Sequence, residues 1–191
     1  MKDNNVAYYC AICFGGAAIG LTALACPFVL PAFRRYALPF IPATKEQINS
    51  VFYLLSKHRG PMRSVIDLGS GDGRMVFEAT RFGFQNCCGV ELNHWLVWYC
   101  RLKNFYLRSN CRFYRQNLLQ INLSGYDCIT VFGTEEIMPV ILAKLKKEVH
   151  SDCRIVTSRF KFPDNIKYED EQKNICSSTW IYYGRNLRDT K

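Results

Sequence analysis

The run Ser64-Val65-Ile66-Asp67-Leu68-Gly69-Ser70-Gly71-Asp72-Gly73-Arg74 limits the fold more than any other stretch of the chain. A short apolar segment runs directly into three alternate glycines and then into a helical pattern over residues 73–82. Strand, tight turn and helix in that order form the first half of a βαβ unit, which calls for a parallel sheet covered by helices. In such a sheet, ligands bind above the carboxyl ends of the strands, where this turn would lie. Gly69 permits the tight turn, and Gly71 and Gly73 let the backbone approach a ligand, with their amides expected to face an anionic group. A dinucleotide fingerprint would need glycine at position 74, where Arg74 stands; the spacing here is G-x-G-x-G.

The rest of the chain repeats the alternation. Strand-like runs at 64–68, 86–91, 111–116, 127–132 and 153–159 are separated by helical patterns at 73–82, 93–108 and 134–149. Ahead of them, Ile48, Val51, Phe52 and Leu55 recur at helical spacing over residues 45–58, with Thr44 as the expected cap. After Pro163 the helical pattern stops, and residues 166–171 and 178–183 read as two further strands joined by a long connection. Trp95, Tyr99, Leu102 and Tyr106 share one helical face and read as core, or as a wall beside a bound base.

Between Asn4 and Phe33 no residue is charged, and Val6 to Leu30 is longer than the roughly 20 apolar residues that cross a bilayer. A transmembrane helix is expected there. Ala23 and Ala25 have the spacing of a leader cleavage site, but the apolar run exceeds the usual 7–15-residue leader core, so an uncleaved anchor is favoured. Arg34 and Arg35 follow the span, while Lys2 and Asp3 offset each other before it, which puts the downstream domain in the cytoplasm or the mitochondrial matrix. The organisation read from the chain is an anchor at 1–35, a proline-containing linker or lid at 36–44, and a globular domain at 45–191.

Charge and cysteine usage narrow the function. The chain of 191 residues carries 25 Lys plus Arg against 16 Asp plus Glu, a net +9, yet has no block of like charges, so a dedicated nucleic-acid arm is not supported. Its 10 cysteines are irregularly spaced and sit mostly in apolar runs, as buried free thiols do. Cys10 and Cys13 form a C-x-x-C without a second pair or a nearby His, and no metal site is expected.

The second strand ends in Glu91, 24 residues beyond Asp67. A carboxylate in that position can accept hydrogen bonds from both hydroxyls of a ribose, so the ligand reads as a nucleoside with an anionic or zwitterionic tail. With these residues in place, the chain resembles the Class I, seven-stranded S-adenosylmethionine-dependent methyltransferases. Phe40-Ile41-Pro42-Ala43-Thr44, Asp67 to Arg74, Glu91-Leu92-Asn93-His94-Trp95-Leu96-Val97-Trp98-Tyr99, Phe132-Gly133 and Arg159-Phe160-Lys161-Phe162-Pro163 resemble the small membrane-anchored mitochondrial protein-lysine methyltransferases, whose members modify the ATP synthase c subunit or the adenine nucleotide translocase.

The expected fold is therefore α/β: a Rossmann-like seven-stranded, mostly parallel sheet with helices on both faces and an antiparallel edge hairpin, preceded by the transmembrane helix. The resemblance implies that Asp67, Gly69, Gly71 and Gly73 hold the methionine moiety of S-adenosylmethionine, that Ser70 also contacts the cofactor and that Glu91 holds its ribose. It places Asn93, Asn117 and Phe132 around the rest of the cofactor, with Asn117 standing where the family has an acid. The implied enzyme is single-pass in the mitochondrial inner membrane, its catalytic domain on the matrix side, and its partner is an integral membrane protein bearing a target lysine. The residues alone leave open another acceptor (a small molecule, lipid or RNA) and a non-catalytic, membrane-tethered scaffold.

Overall fold

A computed structural model describes residues 14–16, 18, 20–22, 41–61, 63–175 and 177–188. The chain divides into two compact units, Met1–Pro39 and Phe40–Lys191. In the first, the described residues are helical. No helix among the described residues is long and apolar enough to cross a membrane, and most of residues 6–30, where the sequence places the span, lie outside them.

The second unit opens with helix α1 (Lys45–Lys57), which the sequence marks with a complete capping box. The Thr44 hydroxyl accepts from the Gln47 backbone N–H, and the Gln47 side chain accepts from the Thr44 N–H at 2.9 Å. There follow β1 (Ser64–Leu68), α2 (Arg74–Phe82), β2 (Asn86–Glu91), α3 (His94–Tyr106), β3 (Arg112–Arg115), β4 (Cys128–Val131), α4 (Met138–Glu148), β5 (Arg154–Ser158), β6 (Asp170–Lys173) and β7 (Ser178–Tyr183).

The strands form one sheet in the order β3-β2-β1-β4-β5-β7-β6. β1 to β5 run parallel, and β7 lies antiparallel between β5 and β6. The order reverses at β1, which pairs with β2 on one side and β4 on the other. Loops leaving β1 and β4 therefore part in opposite directions and leave a crevice, the topological switch point of such sheets.

Alternate strand residues face opposite sides of the sheet. Val65, Cys87, Cys128, Val156 and Ile181 join Val51, Leu54, Met75, Val76 and Val97 in one core cluster. Ile66, Leu68, Ile129, Val131 and Ile155 point the other way and are equally buried, as are Met138, Ile141 and Leu145 of α4. Cys87, Cys88, Cys100, Cys111, Cys128 and Cys153 are free and buried, in keeping with the sequence reading.

Three expectations are corrected. The penultimate strand is Asp170–Lys173 rather than 166–171, and its link to β7 is short, closed by the Asn174 N–H donating to Ser177 O at 2.9 Å. Residues 134–137 form a turn before α4 instead of its first turn, because Pro139 lacks a backbone donor and suits the start of a helix. Trp95, Tyr99, Leu102 and Tyr106 are exposed; α3 packs on β2 and β3 through Leu96, Val97 and Cys100 instead. That helix is apolar on two sides, so its periodicity could not say which side faced the sheet.

Candidate active site

The residues singled out from the sequence gather at one edge of the sheet. Asp67 lies near the end of β1, and Gly69 to Gly73 form the turn that follows. Glu91 ends β2, Asn93 caps α3, Asn117 lies two residues beyond β3 and Phe132 one beyond β4. Parallel register makes them neighbours: Leu68 pairs with both Val90 and Val131, and Glu91 pairs with Arg115.

The turn is held by hydrogen bonds from its own amides, most of them to β2. Gly69, Gly71 and Gly73 adopt φ of 82°, 53° and 76°, a left-handed conformation that costs other residues about 1–2 kcal/mol. The Gly69 and Ser70 N–H groups both donate to Val90 O at 2.9 Å, and the Gly73 N–H donates to Ser70 O. The Gly71 N–H donates to the Glu91 carboxylate at 3.1 Å. These four amides are therefore spent inside the protein. The expectation that the Gly71 and Gly73 amides face an anionic group of a ligand is overturned, because the Glu91 carboxylate and the Ser70 carbonyl use them first.

What remains around the turn is acidic. Asp67 is buried, and its Oδ1 accepts from the Thr130 hydroxyl at 2.6 Å. Burial above all, then the negative charges of Glu91 and Asp72, push its carboxyl up from 3.8 to about 7, against the Thr130 hydrogen bond. Glu91 accepts from the Gly71 N–H through one oxygen and from the Asn93 N–H at 2.8 Å through the other, so each oxygen keeps a further lone pair. Neither Asp67 nor Glu91 forms an ion pair among the described residues.

Close packing fixes the other members. A Cβ on Gly73 would meet the Phe113 ring at 2.9 Å, and one on Gly89 would meet the Ser70 Oγ at 2.7 Å. The Ser70 hydroxyl itself is buried without a hydrogen-bond partner among the described residues. The Asn93 side chain accepts from the Trp95 N–H at 3.0 Å and so starts α3. Asn117 Oδ1 accepts from the Leu119 N–H at 3.0 Å, which leaves its amide NH₂ as a donor. Phe132 is partly buried against the core cluster.

Sequence reasoning missed the role of Arg74. Its guanidinium grips both oxygens of Asp72, at 2.9 and 3.0 Å from Nε, and donates to Ala43 O at 2.5 Å. Arg159, at a left-handed φ of 73°, donates to Pro42 O at 3.4 Å. Together they tie residues 42–43 to the edge of the sheet that carries the glycine turn. An acid two residues before an arginine at a helix start was the available signal for the first contact; nothing local foretold the second.

Residues 67–169 match the family described as the ANTKMT methyltransferase domain, and residues 4–34 match the N-terminal domain of the ATP synthase c-subunit lysine N-methyltransferases. The human ATP synthase c-subunit lysine N-methyltransferase is 38% identical over 194 residues, covering 98% of this chain and 79% of its own. The chain belongs to this methyltransferase family. As a family member it is an S-adenosylmethionine-dependent enzyme. The corresponding Caenorhabditis elegans protein is 37% identical over 88% of this chain and 92% of its own. The mouse adenine nucleotide translocase lysine N-methyltransferase is 31% identical over 78% and 66%. An RNA methyltransferase from Salinibacter ruber, crystallised with S-adenosyl-L-homocysteine, superposes with a TM-score of 0.68 at 18% identity over 75% of this chain and 93% of that one, which shows the shared fold.

Proposed function

We propose that the chain methylates a lysine of a mitochondrial inner-membrane protein, either the ATP synthase c subunit or the adenine nucleotide translocase. The observation that carries the cofactor part of this reading is the pair of carboxylates, Asp67 and Glu91, set beside a glycine turn four of whose amides are already bonded. An ionised carboxylate at a buried position without a cation is costly, and a positively charged ligand supplies what is missing. S-adenosylmethionine fits: it carries an ammonium and a methyl group already activated on a sulfonium.

In this reading Asp67, with Gly69, Ser70, Gly71 and Gly73, holds the methionine portion, and the orphan Ser70 hydroxyl gains a partner. Glu91 offers its two remaining lone pairs to the ribose hydroxyls; the Gly71 and Asn93 amides hold the carboxylate in place for that. Asn93, Asn117 and Phe132 line the side toward the base, where Asn117 presents an amide NH₂ instead of an acid's oxygen. The sulfonium needs little acid-base help, so the chief task of these side chains is alignment, which can lower a barrier by roughly 7–11 kcal/mol.

The acceptor class rests on family membership and on the names of the relatives. An anchor at residues 1–35 and a linker or lid at 36–44 would confine the domain at 45–191 beside the bilayer, on the matrix side of a single-pass topology. The uncharged run from Asn4 to Phe33 supports that arrangement, as does the N-terminal match at 4–34. Confinement would raise the effective concentration of enzyme near a membrane-embedded lysine.

Incubation with methyl-labelled cofactor and separated inner-membrane protein, lipid and RNA fractions tests the acceptor, with mass spectrometry locating the label. Lysine methylation of a membrane protein that disappears with Glu91→Gln is expected. Label confined to lipid or RNA, or undiminished in that variant, would overturn the reading.

A further inference from the structure

Helix α3 hides only Leu96, Val97 and Cys100. At about 100° per residue, Trp95, Trp98, Tyr99, Leu102, Phe105 and Tyr106 fall within about 120° of arc on the opposite side. All are exposed, Trp98 by 61%, Phe105 by 83% and Tyr106 by 84%. Arg101 borders this stripe on one side and Lys103 on the other. Six large apolar side chains on one outward helix face form a patch that soluble surfaces seldom tolerate.

The charge around the stripe says what covers it. From Leu92 to Tyr126 the chain has no Asp or Glu, while Arg101, Lys103, Arg108, Arg112 and Arg115 all fall in that interval. A second copy docking through the same face would oppose these cations with their own kind. An anionic bilayer surface matches the whole pattern. Tryptophan and tyrosine settle at headgroup depth, leucine and phenylalanine reach the acyl chains, and nearby Lys and Arg are attracted to anionic headgroups.

We infer that the outer face of α3 is a lipid-contact surface that seats the domain on the headgroup layer of an anionic membrane. The aromatic stripe enters the interface and the flanking cations lie against the headgroups. Trp95 lies in the first turn of α3, whose cap Asn93 is bonded to Glu91, so seating this face brings one rim of the candidate site to the bilayer surface. The inference rests on the helix face alone and stands or falls whatever the acceptor lysine.

Tryptophan emission reads this contact, because Trp180 is buried and leaves Trp95 and Trp98 as the exposed probes. The full chain is reconstituted into phosphatidylcholine vesicles with or without phosphatidylglycerol, each containing a lipid brominated near the headgroup end of its acyl chains. Quenching that is strong with phosphatidylglycerol, weaker without it, and largely lost in Phe105→Ser/Tyr106→Ser is expected. Binding of S-adenosylhomocysteine by the same samples is expected to be unchanged by that double substitution, which keeps this contact separate from the cofactor site. Absence of quenching in both vesicle types would overturn the inference. So would shielding of Trp95 and Trp98 that appears only when an inner-membrane protein is added, since the face would then be a protein-docking surface.

Discussion

Replacing Asp67 by asparagine removes a charge that the fold holds at a cost. The carboxyl titrates near 3.8 when unperturbed and near 7 in the folded protein. Between those values the folded state binds more protons than the unfolded one, so stability falls as pH rises from about 4 to about 7 and stays low above that. The raised carboxyl corresponds to a cost of about 4 kcal/mol at pH 8, of which less than half is present at pH 5. The substituted side chain would keep the hydrogen bond from Thr130 through its amide oxygen and add no volume. The cofactor-free Asp67→Asn protein should therefore melt above the wild type at pH 8 by on the order of 10 °C, using about 2–4 °C per kcal/mol for a chain of this size. The gap should shrink by more than half at pH 5. Thermal unfolding at the two pH values measures this, and calorimetric titration with S-adenosylhomocysteine should show affinity lost in the same variant. A variant less stable than wild type at pH 8, or a gap indifferent to pH, would refute the claim that Asp67 is held ionised against its surroundings.

Other substitutions probe separate parts of the structure. Gly73→Ala combines a left-handed φ with a Cβ 2.9 Å from the Phe113 ring, and should lower stability by about 2–4 kcal/mol in urea unfolding. Arg74→Gln leaves Asp72 and the Ala43 carbonyl without their guanidinium. The pair is partly exposed, so the stability loss should be within about 1 kcal/mol, while limited proteolysis should cut residues 41–44 faster than in the wild type. Arg154→Met removes a buried guanidinium that donates to the His58 and Pro61 carbonyls; a loss of about 2–4 kcal/mol is expected from two carbonyls left unpaired, read as a fall in the thermal midpoint.

Local pattern made much of the domain readable. The Thr44 cap, the β1 strand, the glycine turn and the α/β alternation each depend on neighbours within a few residues, and each stands in the structure as the sequence predicts. The position of the candidate site residues was legible for the same reason: Asp67, the glycines and Glu91 sit at strand ends, where the chain must turn. The strand at Asp170–Lys173 was misplaced because its residues, Asp-Glu-Gln-Lys, carry no apolar alternation; only pairing with β7 makes them a strand.

Sequence by itself determined that the chain makes a parallel-sheet domain with an acid-flanked glycine turn, because hydrophobic period and glycine spacing are written residue by residue. Tertiary structure decided the use of each group. Val90 and Glu91, adjacent in space to the turn and far from it in sequence, took the Gly69, Ser70 and Gly71 amides. Packing of α3 on β2 and β3 chose one of two apolar faces and left the aromatic one outside. Arg74 and Arg159 reached back to carbonyls 31 and 117 residues earlier in the chain. Hydrogen bonds are claimed by the nearest partner in space, and burial by whatever surface the neighbouring element offers, so neither can be assigned until the chain has closed on itself.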